Sequence, residues 1–256
     1  MVIKALLLCV QGFLFIFLPG VVMSLILRRA PGVDRSLVWW GAGGFLVALL
    51  PLNFLGSLLR QILAASHSSL LAQFAVAALL SGVFVEGMKY LVLRYKDPAA
   101  EQLVPAGIAA GLGVGLITKI FVGLAFVGTG IQLLFGDTSS PLLAQTAARS
   151  LPDLSLAAVA SLTDRLALLL LNGGLGAVVG RAVLDNKRRL LLVAMLVHAA
   201  IELAYSAITV GLEGHGQLPT LAAFAFDCAL VAFAWWWVNR QLPVETPVDR
   251  KQKRRK

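Results

Sequence analysis

The sequence predicts an all-α membrane protein, a bundle of about seven transmembrane helices. Three observations carry this. Hydrophobic residues make up 59% of the 256 and charged residues 14%, against roughly 45–50% and about 25% in soluble globular chains. The mean hydropathy is +0.85. Seven apolar runs each reach the about 20 residues that a bilayer crossing needs. A soluble domain of this size lacks the interior to hide so much apolar surface. A soluble enzyme, a disordered chain and a secreted disulfide scaffold are therefore excluded. The runs are continuous and do not alternate, which argues against a β-barrel. Cys9 and Cys228 both fall inside apolar runs and read as small buried hydrophobes.

The first run covers residues 5–27 and stops at Arg28-Arg29. Only Lys4 precedes it, and no small-x-small cleavage site follows, so it reads as a retained helix and not a signal peptide. The second covers residues 37–59 and stops at Arg60; the third covers 70–93. The fourth, 103–134, and the fifth, within 154–184, are longer than one crossing requires, so each must tilt, break or continue along the interface. The sixth covers 190–210 and the seventh 221–238. Residues 1–238 thus form a single polytopic domain, and 239–256 a basic cytoplasmic tail.

Charge gives an orientation. One set of connections carries Arg28, Arg29, Arg35, Arg94, Lys96, Arg181, Lys187, Arg188 and Arg189, and the tail adds Arg240 and six more from Arg250 to Lys256. Those are sixteen of the 22 basic residues; the opposite face has only Lys4, Arg60 and Arg149. The positive-inside rule places the C-terminus in the cytoplasm and the N-terminus outside, in a multi-pass protein of the cell membrane. Trp39, Trp40 and Trp235 to Trp237 mark the same interface. The tail reads as a stop-transfer segment drawn to anionic lipid. Membrane lipids are the expected partners, together with a transmembrane protein as substrate or partner; nucleic acid is not expected.

A charge in the bilayer core costs about 2.5–3.5 kcal/mol even on lenient scales, so such residues face the bundle interior and have partners. This chain carries Glu86, Lys89, Lys119, Asp164, Arg165, His198, Glu202 and Asp227 inside its runs. Glu86 and Lys89 are three apart and share a helix face; His198 and Glu202 are four apart and do the same. An imidazole and a carboxylate one turn apart suit either a metal site or a hydrogen-bonded packing pair. Glu86–Lys89 suits either an active carboxylate or a structural ion pair. Asp164-Arg165 suits either a buried or an interfacial position, and Asp227 has no evident partner. At about 1.5 Å per residue, His198, Glu202 and Lys119 lie near mid-membrane and Glu86 roughly 6 Å to the cytoplasmic side. One buried cluster is expected. Gly107, Gly111 and Gly115, like Gly176 and Gly180, recur every four residues and read as helix-packing faces.

Four blocks follow one another in an order that resembles a known family. Gly82-Val83-Phe84-Val85-Glu86-Gly87-Met88-Lys89-Tyr90 is similar to the Phe-Glu-Glu-x-x-Arg/Lys helix of glutamic-type intramembrane proteases, in the YhfC-like form related to the PrsW and CPBP (Abi) families. Gly111 to Thr118 resembles the glycine-rich Gly-x-Gly-His-Gly-x-x-Glu helix. Thr163-Asp164-Arg165 followed by Asn172 resembles a Glu-Arg helix with a later His. His198 to Glu202 resembles the last His-containing helix.

The resemblance implies an intramembrane endopeptidase of metalloprotease type. Glu86 would activate water and His198 would bind or orient it; with zinc present, His198, Glu202 and Glu86 would be its ligands. Lys89, Lys119, Asp164, Arg165 and Asn172 would support the site. The chain departs from the pattern at Val85, Val114, Thr118 and Asn172, where Glu, His, Glu and His are expected. Only Glu86, His198 and Glu202 remain: either they fill three ligand places and leave no base, or two bind a metal weakly while one acts as base, and either way hydrolysis is compromised. Lys119, beside Thr118, would put an ammonium where relatives hold a metal and would neutralise Glu86 or Glu202. The reading is a divergent or catalytically inactive protease relative. A transporter subunit or scaffold with a buried charged cluster is the alternative, although no internal repeat is visible. A nucleotide-driven pump is excluded by the lack of a P-loop.

Overall fold

The computed structural model describes residues 1–30, 32–66 and 68–242. Every regular element among them is helical: α1 (Val2–Leu27), α2 (Ser36–Ala65), α3 (Leu70–Lys96), α4 (Leu103–Leu134), α5 (Pro141–Ala148), α6 (Leu151–Leu184), α7 (Arg188–Gly211) and α8 (Leu218–Gln241), with a single 3-10 turn before α4. All but α5 are long and apolar enough to cross a membrane, seven in number. The protein is a multi-pass all-α membrane protein. Each expected span falls inside one helix. α8 continues to Gln241, so the helix takes in the first residues assigned to the tail. Residues 243–256 of that tail lie outside the described residues.

Local chemistry sets several ends. The Asp34 carboxylate accepts from the Ser36 backbone N–H at 2.8 Å and its hydroxyl at 2.5 Å, just before α2. These bonds hold the Asp34 carboxyl below the usual carboxylate range. The Ser69 hydroxyl accepts from the Ala72 N–H and caps α3. Asp97 ends α3 in the left-handed region, with φ 45°. α4 and α6 are each unbroken, at 32 and 34 residues. A short helix between them, α5, is separate from both. It begins with the Ser140 cap and Pro141, and its last turn is tied to α1 by the Lys4 ammonium donating to the Ala147 carbonyl at 2.6 Å.

α4 and α6 form the centre. α4 packs along its length on α6, α1 and α2, while α6 also meets α7 and α8; α3 lies against α7 and α2. The glycine repeats create the central contact. A Cβ on Gly107 would meet the Gly176 carbonyl oxygen, and one on Gly111 would meet that of Asn172. Only hydrogen fits there, so the two backbones touch directly. Around this seam lies the main apolar core, which includes Ile108, Leu112, Leu169, Leu171 and Leu175. Phe17, Leu50, Phe54 and Leu196 project outward as a bilayer-facing surface requires.

Candidate functional site

The site lies where α3, α6 and α7 meet. Glu86 and Lys89 share the inward face of α3 and are both fully buried, with the Lys89 ammonium donating to Glu86 Oε1 at 2.7 Å. Asn172 of α6 closes the other side of the ammonium. Its Oδ1 accepts at 2.8 Å and its backbone carbonyl at 3.4 Å, so all three Lys89 donors have partners. The Asn172 amide nitrogen donates back to the Leu168 carbonyl at 2.9 Å. α3 reaches α7 this closely because Gly82 lies under the Met195 carbonyl, where a Cβ would collide.

His198 of α7 continues the chain. Its Nδ1 lies 2.7 Å from Glu86 Oε1, and its Nε2 lies 3.1 Å from Glu202 Oε1. The Ser81 hydroxyl donates to the same Glu202 oxygen at 2.9 Å. Each ring nitrogen faces a carboxyl oxygen, so both contacts are hydrogen bonds when the ring carries two protons or one carboxyl carries one. Glu86 Oε2 is buried and has no hydrogen-bond partner among the described residues. Glu202 is the open end, with its side chain 35% exposed.

A cavity of about 260 Å³ begins at Glu202 and runs between α6, α7 and α8. Its polar lining consists of Asp164, Arg165, Tyr205, Ser206 and Asp227 beside Glu202. Arg165 Nε lies 3.2 Å from Asp164 Oδ2, but its N–H is not aimed there and makes no hydrogen bond. The pair faces the cavity.

The sequence-derived residues therefore separate into two groups. Glu86, Lys89, Asn172, His198 and Glu202 form one connected chain. Lys119, Asp164 and Arg165 form a second group of neighbouring charges. The expectation that Lys119 neutralises Glu86 or Glu202 is corrected by the fold. Glu86 already has Lys89, Glu202 has His198 and Ser81, and the charged neighbours of Lys119 are Arg165 and Asp164. The reason is packing: α4 lies along α6 and meets α3 only briefly, so a buried side chain at 119 reaches the charges of α6. Asp227, to which the sequence assigned no role, and Tyr205 join the cavity wall; the only sequence signal for Asp227 was a mid-span charge without a neighbour.

The donor set does not fit a catalytic metal. Such an ion takes three protein ligands at one point and keeps an open position. Here Glu86 and Glu202 sit at opposite ring nitrogens of His198, and the ammonium of Lys89 is on Glu86. No three His, Cys, Asp or Glu side chains among the described residues are placed to hold an ion. Val85 and Val114 are buried and apolar, and the Thr118 hydroxyl donates to the Gly115 carbonyl of its own helix at 2.8 Å. α4 contributes no ligand.

Seven spanning helices around a buried Glu–His–Glu chain define a polytopic membrane protein with an intramembrane ionisable centre. The sequence matches the YhfC intramembrane metalloprotease family over residues 14–215, and the chain belongs to that family. No curated protein and no solved structure gives a significant match.

Proposed function

We propose that this chain is a non-hydrolysing member of the family, a cell-membrane protein that holds a membrane-embedded ligand beside the former catalytic centre. The observation that carries this is the double engagement of His198. Peptide hydrolysis needs a water polarised by a metal or deprotonated by an available base. Both nitrogens of His198 are occupied by carboxylates, and Glu86 is sealed beneath Lys89 and out of reach of substrate. What remains open is the cavity at Glu202. The transporter alternative is less well supported. Toward the basic face, the next buried residues of α3 beyond Lys89 are Val92 and Leu93, so the polar chain ends in apolar core with no path onward. The same reading places the N-terminus outside and the C-terminus in the cytoplasm, on the basic-residue asymmetry.

The test is a cleavage assay on the purified full chain in nanodiscs, with a library of transmembrane peptides, with and without added Zn²⁺. Products are identified by mass spectrometry and bound metal by elemental analysis. The expected result is no product above that of Glu202→Gln, and metal well below one ion per chain. Cleavage by the wild type that Glu202→Gln abolishes, or one tightly held zinc, overturns the proposal.

A further inference from the structure

A second cavity, of about 310 Å³, lies between α1, α4, α5 and α6 and shares no residue with the cavity at Glu202. It opens toward the face opposite the basic one. α1 and α6 begin at that face and α4 ends there, so position along each helix gives depth. Gln145 and Arg149, at the end of α5, line the mouth. Leu8, Phe126 and Leu154 line the middle, and Gln11 and Ser161 the floor. From Leu154 to Ser161 the cavity descends about 10 Å by helix rise.

The floor marks this cavity as a site. Gln11 stands in an otherwise apolar stretch of α1 and is 5% exposed, yet its side-chain amide makes no hydrogen bond among the described residues. It lines the cavity and its polar atoms are not sealed off, so the amide opens into that space. The Ser161 hydroxyl of α6 is likewise unpaired among the described residues. Thr129, higher on the wall, differs: its hydroxyl donates to the Ala125 carbonyl at 2.9 Å. A buried amide without a partner is costly, and a ligand group that both donates and accepts would recover that cost. At the mouth Arg149 is exposed and makes no ion pair among the described residues, and no acid lines the cavity. The acid nearest in sequence, Asp153, is bonded by Ser150 and Gln217.

We propose that this cavity binds a small anionic amphiphile that carries a hydrogen-bonding group at its far end. Its carboxylate lies on Arg149, its apolar body along Leu8, Phe126 and Leu154, and its terminal hydroxyl on Gln11 and Ser161. The inference goes beyond the role proposed above and concerns a separate site. The order polar, apolar, polar down the cavity is that of an ω-hydroxy carboxylate. An extended eight-carbon chain, with C–C bonds of about 1.5 Å, spans about 9 Å and reaches from mouth to floor. The plain acyl chain of a lipid would instead end against Gln11 and leave its amide unpaired. A cationic head would sit beside Arg149. The volume of about 310 Å³ lies at the low end of the roughly 300–1,000 Å³ of small-molecule sites.

The experiment measures retention of radiolabelled 8-hydroxyoctanoate and octanoate by the full chain in phosphatidylcholine nanodiscs at pH 7, by equilibrium dialysis against empty discs. 8-Hydroxyoctanoate should bind about tenfold more tightly than octanoate, the size expected for pairing a buried polar group. Gln11→Leu should abolish that preference, chiefly by weakening the hydroxy acid, and Ser161→Ala should reduce it. Arg149→Gln should weaken both probes about threefold, as for an exposed ion pair. Ala158→Phe, which fills the middle of the cavity and leaves every polar group in place, should lose both. If Gln11→Leu does not fold, Ser161→Ala and Ala158→Phe decide the matter. Equal affinity of the wild type for the two probes overturns the proposal and makes the cavity a groove for lipid tails. Retention no greater than that of empty discs also overturns it and leaves water as the partner of Gln11. So does binding unchanged in Ala158→Phe, which would place the probes elsewhere on the protein.

Discussion

Two helix interfaces in this protein solve the same problem in opposite ways. The α4–α6 seam is dry and built from absence: Gly107, Gly111, Gly176 and Gly180 let backbone lie on backbone. The α3–α7 seam is held by charge, through Lys89, Glu86, His198 and Glu202 in sequence. Lipid is as apolar as the helix surfaces, so burying apolar area does little to join helices in a bilayer. Close packing and polar contacts are what is left. The first tolerates no added atom. The second tolerates no lost charge, because a group left alone has no water to turn to. Asn172 belongs to both, with its carbonyl under Gly111 and its side chain on Lys89. Through it, the glycine seam sets the position of the charged chain.

The comparison breaks most severely at the glycine seam. Gly111→Leu should prevent recovery of folded protein, beyond the typical cost of about 1–3 kcal/mol for overpacking, since the obstacle is the Asn172 backbone and cannot rotate away. Size-exclusion profiles in mild detergent would show it, and a monodisperse peak at wild-type yield would contradict the direct-contact account.

At the charged seam the expected loss is smaller but specific. Lys89→Met leaves Glu86 buried with one partner fewer and should cost about 3–5 kcal/mol. Adding Glu86→Gln should restore much of that. Unfolding of the single and double variants in mixed micelles gives the coupling. Simple addition of the two effects would show that the pair does not act as a unit.

The smallest effect should be at Lys119. Its neighbours are Arg165 and Asp164, and removing an ammonium that makes no ion pair among the described residues should change stability by about 1 kcal/mol, the usual size for a point substitution. Combined with Glu86→Gln, Lys119→Met should be additive within about 0.5 kcal/mol. Rescue of one by the other would restore the direct pairing that the sequence suggested and would mean that α4 is turned toward α3.

Much of this molecule is legible before folding, and the boundary follows a physical line. Seven spans, the small-residue repeats and the two same-face pairs Glu86–Lys89 and His198–Glu202 follow from hydropathy and the helical period, because each concerns residues on one helix. The order of the motifs around them places the chain in its family. What one helix cannot specify is which face of another it meets. That Glu86 and Glu202 grip opposite nitrogens of one imidazole, that Asn172 joins Glu86 in receiving Lys89, and that Lys119 looks to α6 all depend on the rotation and register of packed helices. So does the cavity at Asp227, whose walls come from three helices. These were decided only when the glycine contacts set α4 against α6 and Gly82 brought α3 onto α7, since side-chain pairing across helices depends on distances of a few ångströms that period and composition do not contain.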